Sequence, residues 1–195
     1  MEGTRMKRMS KIVLFMSLFA FKSYAGDKKP WVYLDLGDTI VNTKDMKHIK
    51  YMPGAKEYIE DLKREGFKVG IISNIPEEWG LTYEQKLMRL KDVIASGWDD
   101  TSEFDWSAFE QILLPLKDED MKPAPTLFLE AIEKANSCPS LYIGESPKEI
   151  VAAKAVGMAA KLYEVNKEGS LIQSSDVKNF LADNYKRQYD KECLE

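Results

Sequence analysis

Short apolar runs alternate with amphipathic segments along most of the chain. Each run is four to six residues long. Runs that are apolar throughout, rather than at every second position, are typical of strands buried on both faces. The predicted strands are residues 31–35, 68–73, 111–114, 141–144 and 160–163.

The segments between these runs have apolar residues three and four positions apart, which is the spacing of an amphipathic helix. Alternating strands and helices predict a three-layer α/β fold of the Rossmann type: a mainly parallel five-stranded sheet with helices on both faces. In such folds the site lies beyond the carboxyl ends of the strands. The predicted helices are centred on Ala55–Leu62, residues 77–96, Leu127–Ile132, Pro147–Val156 and residues 176–190.

The first 25 residues have the pattern of an export signal. Basic residues within Arg5–Lys11 precede an uncharged, mainly apolar run at 12–21, and Ser23-Tyr24-Ala25 has small residues where a signal peptidase reads them. A membrane anchor is the alternative, but ten helical residues rise only about 15 Å, roughly half the hydrocarbon thickness. We therefore expect cleavage after this tripeptide, one domain over residues 26–195, and a periplasmic or secreted protein without a stable membrane anchor.

The charge balance narrows the range of partners. The whole chain has a formal net charge of −4 and the first 25 residues contribute +4, so the remainder carries −8. Such an acidic domain has no electrostatic footprint for nucleic acid or an anionic membrane. A phosphorylated substrate would need a cation or local basic groups in order to approach it.

Cysteine and histidine are scarce. Cys138 and Cys193 are the two cysteines; they either pair in an oxidising compartment or remain thiols, and their spacing alone does not decide between the two. His48 is the one histidine. A single histidine excludes a histidine-rich zinc site and argues against a Ser-His-Asp triad.

Polar residues directly follow several predicted strands. Asp35 ends the first strand, Ser73 and Asn74 follow the second, and Glu145 follows the fourth, while Lys122 lies in the loop after the third. An aspartate in such a position can attack phosphorus, and a second carboxylate beside it would hold Mg²⁺. A hydroxyl and an ammonium group can neutralise the oxygens of a transferring phosphoryl group.

Four motifs in order resemble the haloacid dehalogenase-like (HAD) superfamily of hydrolases. Asp35-Leu36-Gly37-Asp38-Thr39 is similar to its Asp-x-Asp-x-Thr, the second strand ends at Ser73 as expected, and Lys122-Pro123-Ala124-Pro125 matches its lysine before a helix. Gly144–Glu149 resembles its Gly-Asp-Ser-x-x-Asp. The resemblance covers residues 31–163, and the short gaps between motifs leave no room for a separate cap domain.

The resemblance implies a Mg²⁺ site. Asp35 would be both the nucleophile and a metal ligand. The backbone carbonyl of Gly37 would be a second ligand, and Glu145 would replace the usual aspartate as a third.

The resemblance also implies a phosphate site. Ser73 and Lys122 would hold the phosphoryl group with help from Asn74, and Glu149 would orient Lys122 or a metal-bound water. An alternative interpretation makes Glu149 part of a capping box with Ser146 at a helix start.

One departure from the family affects catalysis. The family's second aspartate, its general acid and base, is Gly37 here, and Asp38 next to it projects in a different direction. We therefore expect an exported, capless, Mg²⁺-dependent phosphomonoester hydrolase that works through an aspartyl phosphate. The alternative is a HAD-like domain with weak or no turnover that binds a phosphorylated ligand or a protein partner. The sequence leaves the oligomeric state open.

Overall fold

A computed structural model describes residues 28–195 except 166, 168 and 169. The predicted signal peptide, residues 1–25, lies outside the described residues. Within the described part of the chain, no helix combines the length and apolar composition needed to span a bilayer.

The predicted parallel five-stranded sheet is confirmed, with strand order β5-β4-β1-β6-β7. The two remaining strands in the described residues, β2 and β3, form a small antiparallel pair. The strands are β1 (Trp31–Leu34), β2 (Val41–Asn42), β3 (Lys50–Tyr51), β4 (Lys68–Ile72), β5 (Gln111–Leu113), β6 (Ser140–Gly144) and β7 (Ala159–Leu162).

Helices cover both faces of the sheet. Residues of β1 alternate between two cores: Val32 and Leu34 face a core shared with three helices, whereas Trp31 and Tyr33 face a core shared with the other two. Burial on both sides explains why this strand is apolar throughout. On the first face lie α1 (Ala55–Arg64), α2 (Tyr83–Gly97) and α5 (Val177–Asn184), and on the second lie α3 (Thr126–Lys134) and α4 (Pro147–Ala155).

The helix predicted for residues 77–96 is interrupted near its start. A 3₁₀ turn at Glu77–Trp79 comes first, and α2 begins only after Thr82. The Thr82 hydroxyl accepts the Gln85 N–H at 3.3 Å, and the Gln85 side chain accepts the Thr82 N–H at 3.3 Å. This reciprocal cap fixes the helix start and overrides the apolar spacing upstream.

Residues 41–51, which we call the flap, follow β1 and contain the β2–β3 pair. Two-residue strands are too short to show a strand period, so the sequence did not predict them. The flap rests on the end of α2: the buried Ile49 accepts the Asp99 N–H at 2.8 Å and donates its own N–H to the Gly97 carbonyl at 2.7 Å.

The C-terminal segment differs from the prediction, because α5 ends at Asn184 rather than continuing to 190. Cys138 and Cys193 form a disulfide, with their Cα atoms 5.5 Å apart. Of the two alternatives left open by the sequence, the paired one is therefore present. The Asp190 N–H adds a hydrogen bond to the Ser137 carbonyl at 2.8 Å.

Replacing both cysteines by serine should destabilise the fold. The bond closes a loop across 55 residues of sequence separation, and loss of that constraint costs about 2–4 kcal/mol in the free energy of unfolding. Denaturant unfolding of the oxidised wild type, the reduced wild type and the double variant measures it. The reduced wild type should match the double variant, and equal stability of all three would contradict the expectation.

Candidate active site

The sheet order brings three predicted site residues to one edge. β1 lies between β4 and β6, and Leu34 is in register with Ile71 on one side and Ile143 on the other. The residues that follow these strands therefore leave the sheet side by side. They are Asp35, Ser73 and Glu145.

Lys122 enters this edge from the loop before α3 and is almost completely buried, at 5% exposure. Its Nζ lies 2.8 Å from Asp35 Oδ1 and 2.9 Å from Glu149 Oε2. A buried ammonium group is costly unless it is paired and hydrogen-bonded, so these two carboxylates account for its presence. The structure thus brings together three residues that the sequence singled out.

Tyr142 completes this cluster, although no sequence motif pointed to it. Its hydroxyl accepts a hydrogen bond from Lys122 Nζ at 2.8 Å and donates one to Glu149 Oε2 at 2.5 Å. Burial and then the nearby Asp35 carboxylate raise the pKa of Tyr142 well above its usual range, so the hydroxyl stays a donor. A tyrosine inside a fully buried apolar strand was the available signal, because such a hydroxyl needs a partner.

Gly144 leaves room for the Tyr142 hydroxyl. A Cβ atom at Gly144 would lie 2.6 Å from that oxygen. The glycine that ends β6 is therefore required by the side chain two residues earlier.

The capping-box interpretation of Glu149 is wrong. Ser146 does occupy the N-cap of α4, but its side chain accepts no cap hydrogen bond. The Glu149 carboxylate turns instead to Lys122 and Tyr142. The ion pair with a buried ammonium outweighs the weaker cap.

Asn74 holds the main chain of Lys122. Its Oδ1 accepts the Lys122 N–H at 2.7 Å, and its Nδ2 donates to the Lys122 carbonyl at 2.8 Å. Ser73 beside it is buried, and its N–H donates to the Leu113 carbonyl at 3.1 Å. The structure places both residues at the predicted edge, and their binding of phosphate stays a prediction.

A second lysine, Lys86 on α2, is also fully buried. Its Nζ donates to the carbonyl of Pro115 at 2.8 Å and to that of Ile75 at 3.4 Å. These carbonyls belong to the loops after β5 and β4. Lys86 therefore connects the loop that follows Ser73 to the loop that leads to Lys122.

Asp35 and Glu145 form a pair of close carboxyl groups. Burial, at 7% exposure, raises the pKa of Asp35 to about 6; Lys122 opposes the shift, and Glu145 adds to it by charge and hydrogen bonding. Asp35 Oδ1 also accepts the Leu36 N–H at 2.8 Å, and Glu145 Oε2 accepts the Thr39 hydroxyl at 3.2 Å. Two adjacent carboxylates repel each other unless a proton or a cation lies between them.

No protein-family model matches the sequence, and a search of the curated proteins finds no match either. Solved structures do match. A candidate HAD-like phosphatase from Mesorhizobium loti aligns with 84% of this chain and 89% of its own, at 20% identity and a TM-score of 0.50. The chain has the haloacid dehalogenase-like fold.

Two further solved structures support the HAD-like fold. A predicted phosphoglycolate phosphatase from Haemophilus somnus aligns with 78% of this chain and 97% of its own, at 15% identity and a TM-score of 0.53. A HAD-superfamily hydrolase from Ehrlichia chaffeensis aligns with 80% and 97%, at 16% identity and a TM-score of 0.52. The alignments span nearly the whole of these proteins, so the likeness is to a complete domain.

The residues at this HAD-like edge suit Mg²⁺. Within the described residues, no group of three or more His, Cys, Asp or Glu side chains is arranged to hold a metal. The predicted set is smaller: the carboxylates of Asp35 and Glu145 and the carbonyl of Gly37, which accepts no hydrogen bond from the described residues. Mg²⁺ commonly binds one or two carboxylates and keeps several waters. The donor set and the facing negative charges therefore fit such a cation.

The Asp38 carboxylate, next in sequence to Gly37, has hydrogen-bond partners of its own. Its Oδ1 accepts the N–H of Thr43 at 3.0 Å and the Thr43 hydroxyl at 3.3 Å. The carboxylate is thus bound to the flap. His48 is exposed on the same flap and pairs with Asp99 at 2.7 Å, so it is not a general base at Asp35.

Tyr142→Phe should destabilise the fold by about 1–3 kcal/mol, because the bridge between Lys122 and Glu149 is lost in a buried site. Tyr58→Phe is the matched control, since the buried Tyr58 hydroxyl has no hydrogen-bond partner. The control should be neutral or slightly stabilising. Denaturant unfolding of both variants measures this, and equal losses would contradict the assignment of Tyr142.

The raised pKa of Asp35 predicts a pH dependence of stability in metal-free protein. The folded state keeps the Asp35 proton up to about pH 6, whereas the unfolded state loses it near the ordinary value of 3.8. Stability should therefore fall by about 1–3 kcal/mol as the pH rises through this interval. Asp35→Asn should lack that fall and should match the wild type near pH 4. Unfolding with chelator present measures both, and parallel curves would refute the shift.

Proposed function

We propose that this protein is a Mg²⁺-dependent phosphomonoester hydrolase. The observation that carries the proposal is the buried Asp35 carboxylate, held 2.8 Å from Lys122 Nζ at the carboxyl edge of a HAD-like sheet with Glu145 beside it. A carboxylate, an ammonium group and a second carboxylate are the groups that phosphoryl transfer to an aspartate requires. The phosphatase names of two matched structures support the same assignment.

The reaction has two displacement steps at phosphorus. An oxygen of Asp35 attacks the phosphoryl group, and the bond to the leaving alcohol breaks as an aspartyl phosphate forms. Water then attacks that phosphorus, releasing phosphate and restoring the Asp35 carboxylate. Lys122 opposes the rise in the pKa of Asp35 and, with the Ser73 hydroxyl, would offset charge on the phosphoryl oxygens.

Mg²⁺, when bound by Asp35, Glu145 and the Gly37 carbonyl, would supply further charge compensation at the phosphoryl group. The chain's own part is to hold the donors in place. Thr39 fixes Glu145, and the Leu36 N–H fixes Asp35. Glu149 and Tyr142 hold the Lys122 ammonium group at the same point.

Gly37 limits the rate of the first step. A general acid at this position would protonate the leaving alcohol, which is typically worth about 10²–10⁴-fold. The enzyme should therefore prefer esters of acidic alcohols, such as aryl phosphates. The second candidate function, a binding domain with little turnover, is favoured by this one residue.

We also propose that the mature chain, residues 26–195, is a single exported domain. The predicted leader supports export, and the Cys138–Cys193 disulfide suits an oxidising compartment. The net charge of −8 after residue 25 supports a small phosphorylated substrate rather than nucleic acid or a membrane surface.

Two substitutions distinguish the proposed hydrolase from the second candidate function, a binding domain with little turnover. With para-nitrophenyl phosphate, wild-type turnover should need Mg²⁺ and should vanish with chelator, and Asp35→Asn should lose at least about 10³-fold. Gly37→Asp should raise turnover of alkyl phosphates by about 10²-fold by restoring a general acid. A Cβ at Gly37 would lie 3.2 Å from Thr43 Oγ1, so the change requires the Thr43 side chain to move by a few tenths of an ångström.

Asp92→Asn is the matched control for the loss of one carboxylate, since Asp92 lies on α2 outside the site. Turnover that survives Asp35→Asn would refute the mechanism. A wild type without turnover that still binds inorganic phosphate through Asp35 and Lys122 would favour the binding domain.

A further inference from the structure

The flap concentrates positive charge beside the site. It carries Lys44, Lys47 and Lys50 against one carboxylate, Asp45, whereas the chain after residue 25 has a net charge of −8. A local cationic segment on an acidic protein focuses the field that an approaching anion meets.

Two of these lysines line a common cavity. Lys44 and Lys50 border it together with Asp38 and Asn42, and its volume is about 160 Å³. This is smaller than the roughly 300–1,000 Å³ of a pocket for a whole ligand, so it suits one small charged group with its waters.

The cavity lies near the proposed nucleophile. Asp38, which lines it, follows Asp35 by three residues, so their Cα atoms are at most about 11 Å apart. The cavity therefore lies on the same chain segment as Asp35, at a separation comparable to the length of a small substrate.

Asp38 is the one acidic residue among those that line the cavity, and its Oδ1 accepts the two hydrogen bonds from Thr43 described above. Lys44 and Lys50 form no ion pair with any described residue. The Asn42 side-chain oxygen accepts the Lys44 N–H at 3.1 Å, which leaves its NH₂ group as a further donor.

The flap contacts the end of α2. Ile49 is bonded in both directions to the end of α2, and a Cβ at Gly97 would lie 2.1 Å from the Met46 carbonyl. A preformed segment spends less ordering entropy on binding than a free loop does.

We propose that Lys44 and Lys50 form a subsite for a second anionic group, so that the preferred substrates are small phosphate monoesters bearing another carboxylate or phosphate. This inference rests on the proposed function. The two lysines are specificity-determining and act on the distal end of the substrate, away from the reacting phosphorus.

Kinetics test the subsite with three substrates: glycerol 2-phosphate has no second anion, 3-phosphoglycerate adds a carboxylate, and fructose 1,6-bisphosphate adds a phosphate. The wild type should favour one of the last two over the first by about tenfold or more in kcat/KM. The double variant Lys44→Met/Lys50→Met should lose that preference through a higher KM. Lys47→Met, on the same flap but outside the cavity, should keep it. The substrate that is favoured shows whether the subsite binds a carboxylate or a phosphate.

Binding separates a failed subsite from a failed enzyme. Calorimetry with Mg²⁺ compares phosphonoacetate, which carries a carboxylate, and 1,3-propanediphosphonate, which carries a second phosphonate, with methylphosphonate. The wild type should bind one of the first two about tenfold more tightly than the last, and the double variant should not. This ratio of binding affinities does not depend on catalysis, so it tests the subsite even if para-nitrophenyl phosphate is not hydrolysed. Equal affinities in the wild type, or the same ratio in the double variant, would overturn the subsite.

Discussion

The buried ammonium group of Lys122 is the charge on which the rest of the site depends. It lies between the carboxylates of Asp35 and Glu149 and bonds to the Tyr142 hydroxyl. These partners come from the end of β1, from α4 and from β6. One cation therefore joins three elements that the sheet order alone would only bring near one another, and removing it would leave two uncompensated buried carboxylates.

Asp35 and Glu145 repel each other when both are ionised, whereas Lys122 attracts the carboxylates around it. Burial raises the pKa of Asp35, and Glu145 adds to the rise, because Lys122 shares its charge with Glu149 and offsets the carboxyl pair only in part. The fold thus tolerates a local electrostatic conflict at the point where a substrate would react. Such a conflict is typical of sites whose charges are arranged for a ligand rather than for stability.

Most of the fold followed from the apolar pattern, because strands buried on both faces leave a clear signature, and Asp35, Ser73 and Glu145 each directly follow a strand. The partners of those residues did not follow. Tyr142 and Asn74 act across elements distant in sequence, and no local pattern identifies the residues to which they bond. The capping pattern at Ser146 was misleading for the same reason, since the pull of Lys122 on Glu149 comes from 27 positions away. The β2–β3 pair is too short for periodicity to register.

The flap is held in place by its contacts with the end of α2. Gly97 ends the helix against the Met46 carbonyl, and Thr82 caps its other end. The helix therefore sets the position of the flap. Lys44 and Lys50 on the flap line the cavity of the proposed subsite. The approach of a phosphate ester would depend on the field of these lysines, and a higher ionic strength would weaken that attraction.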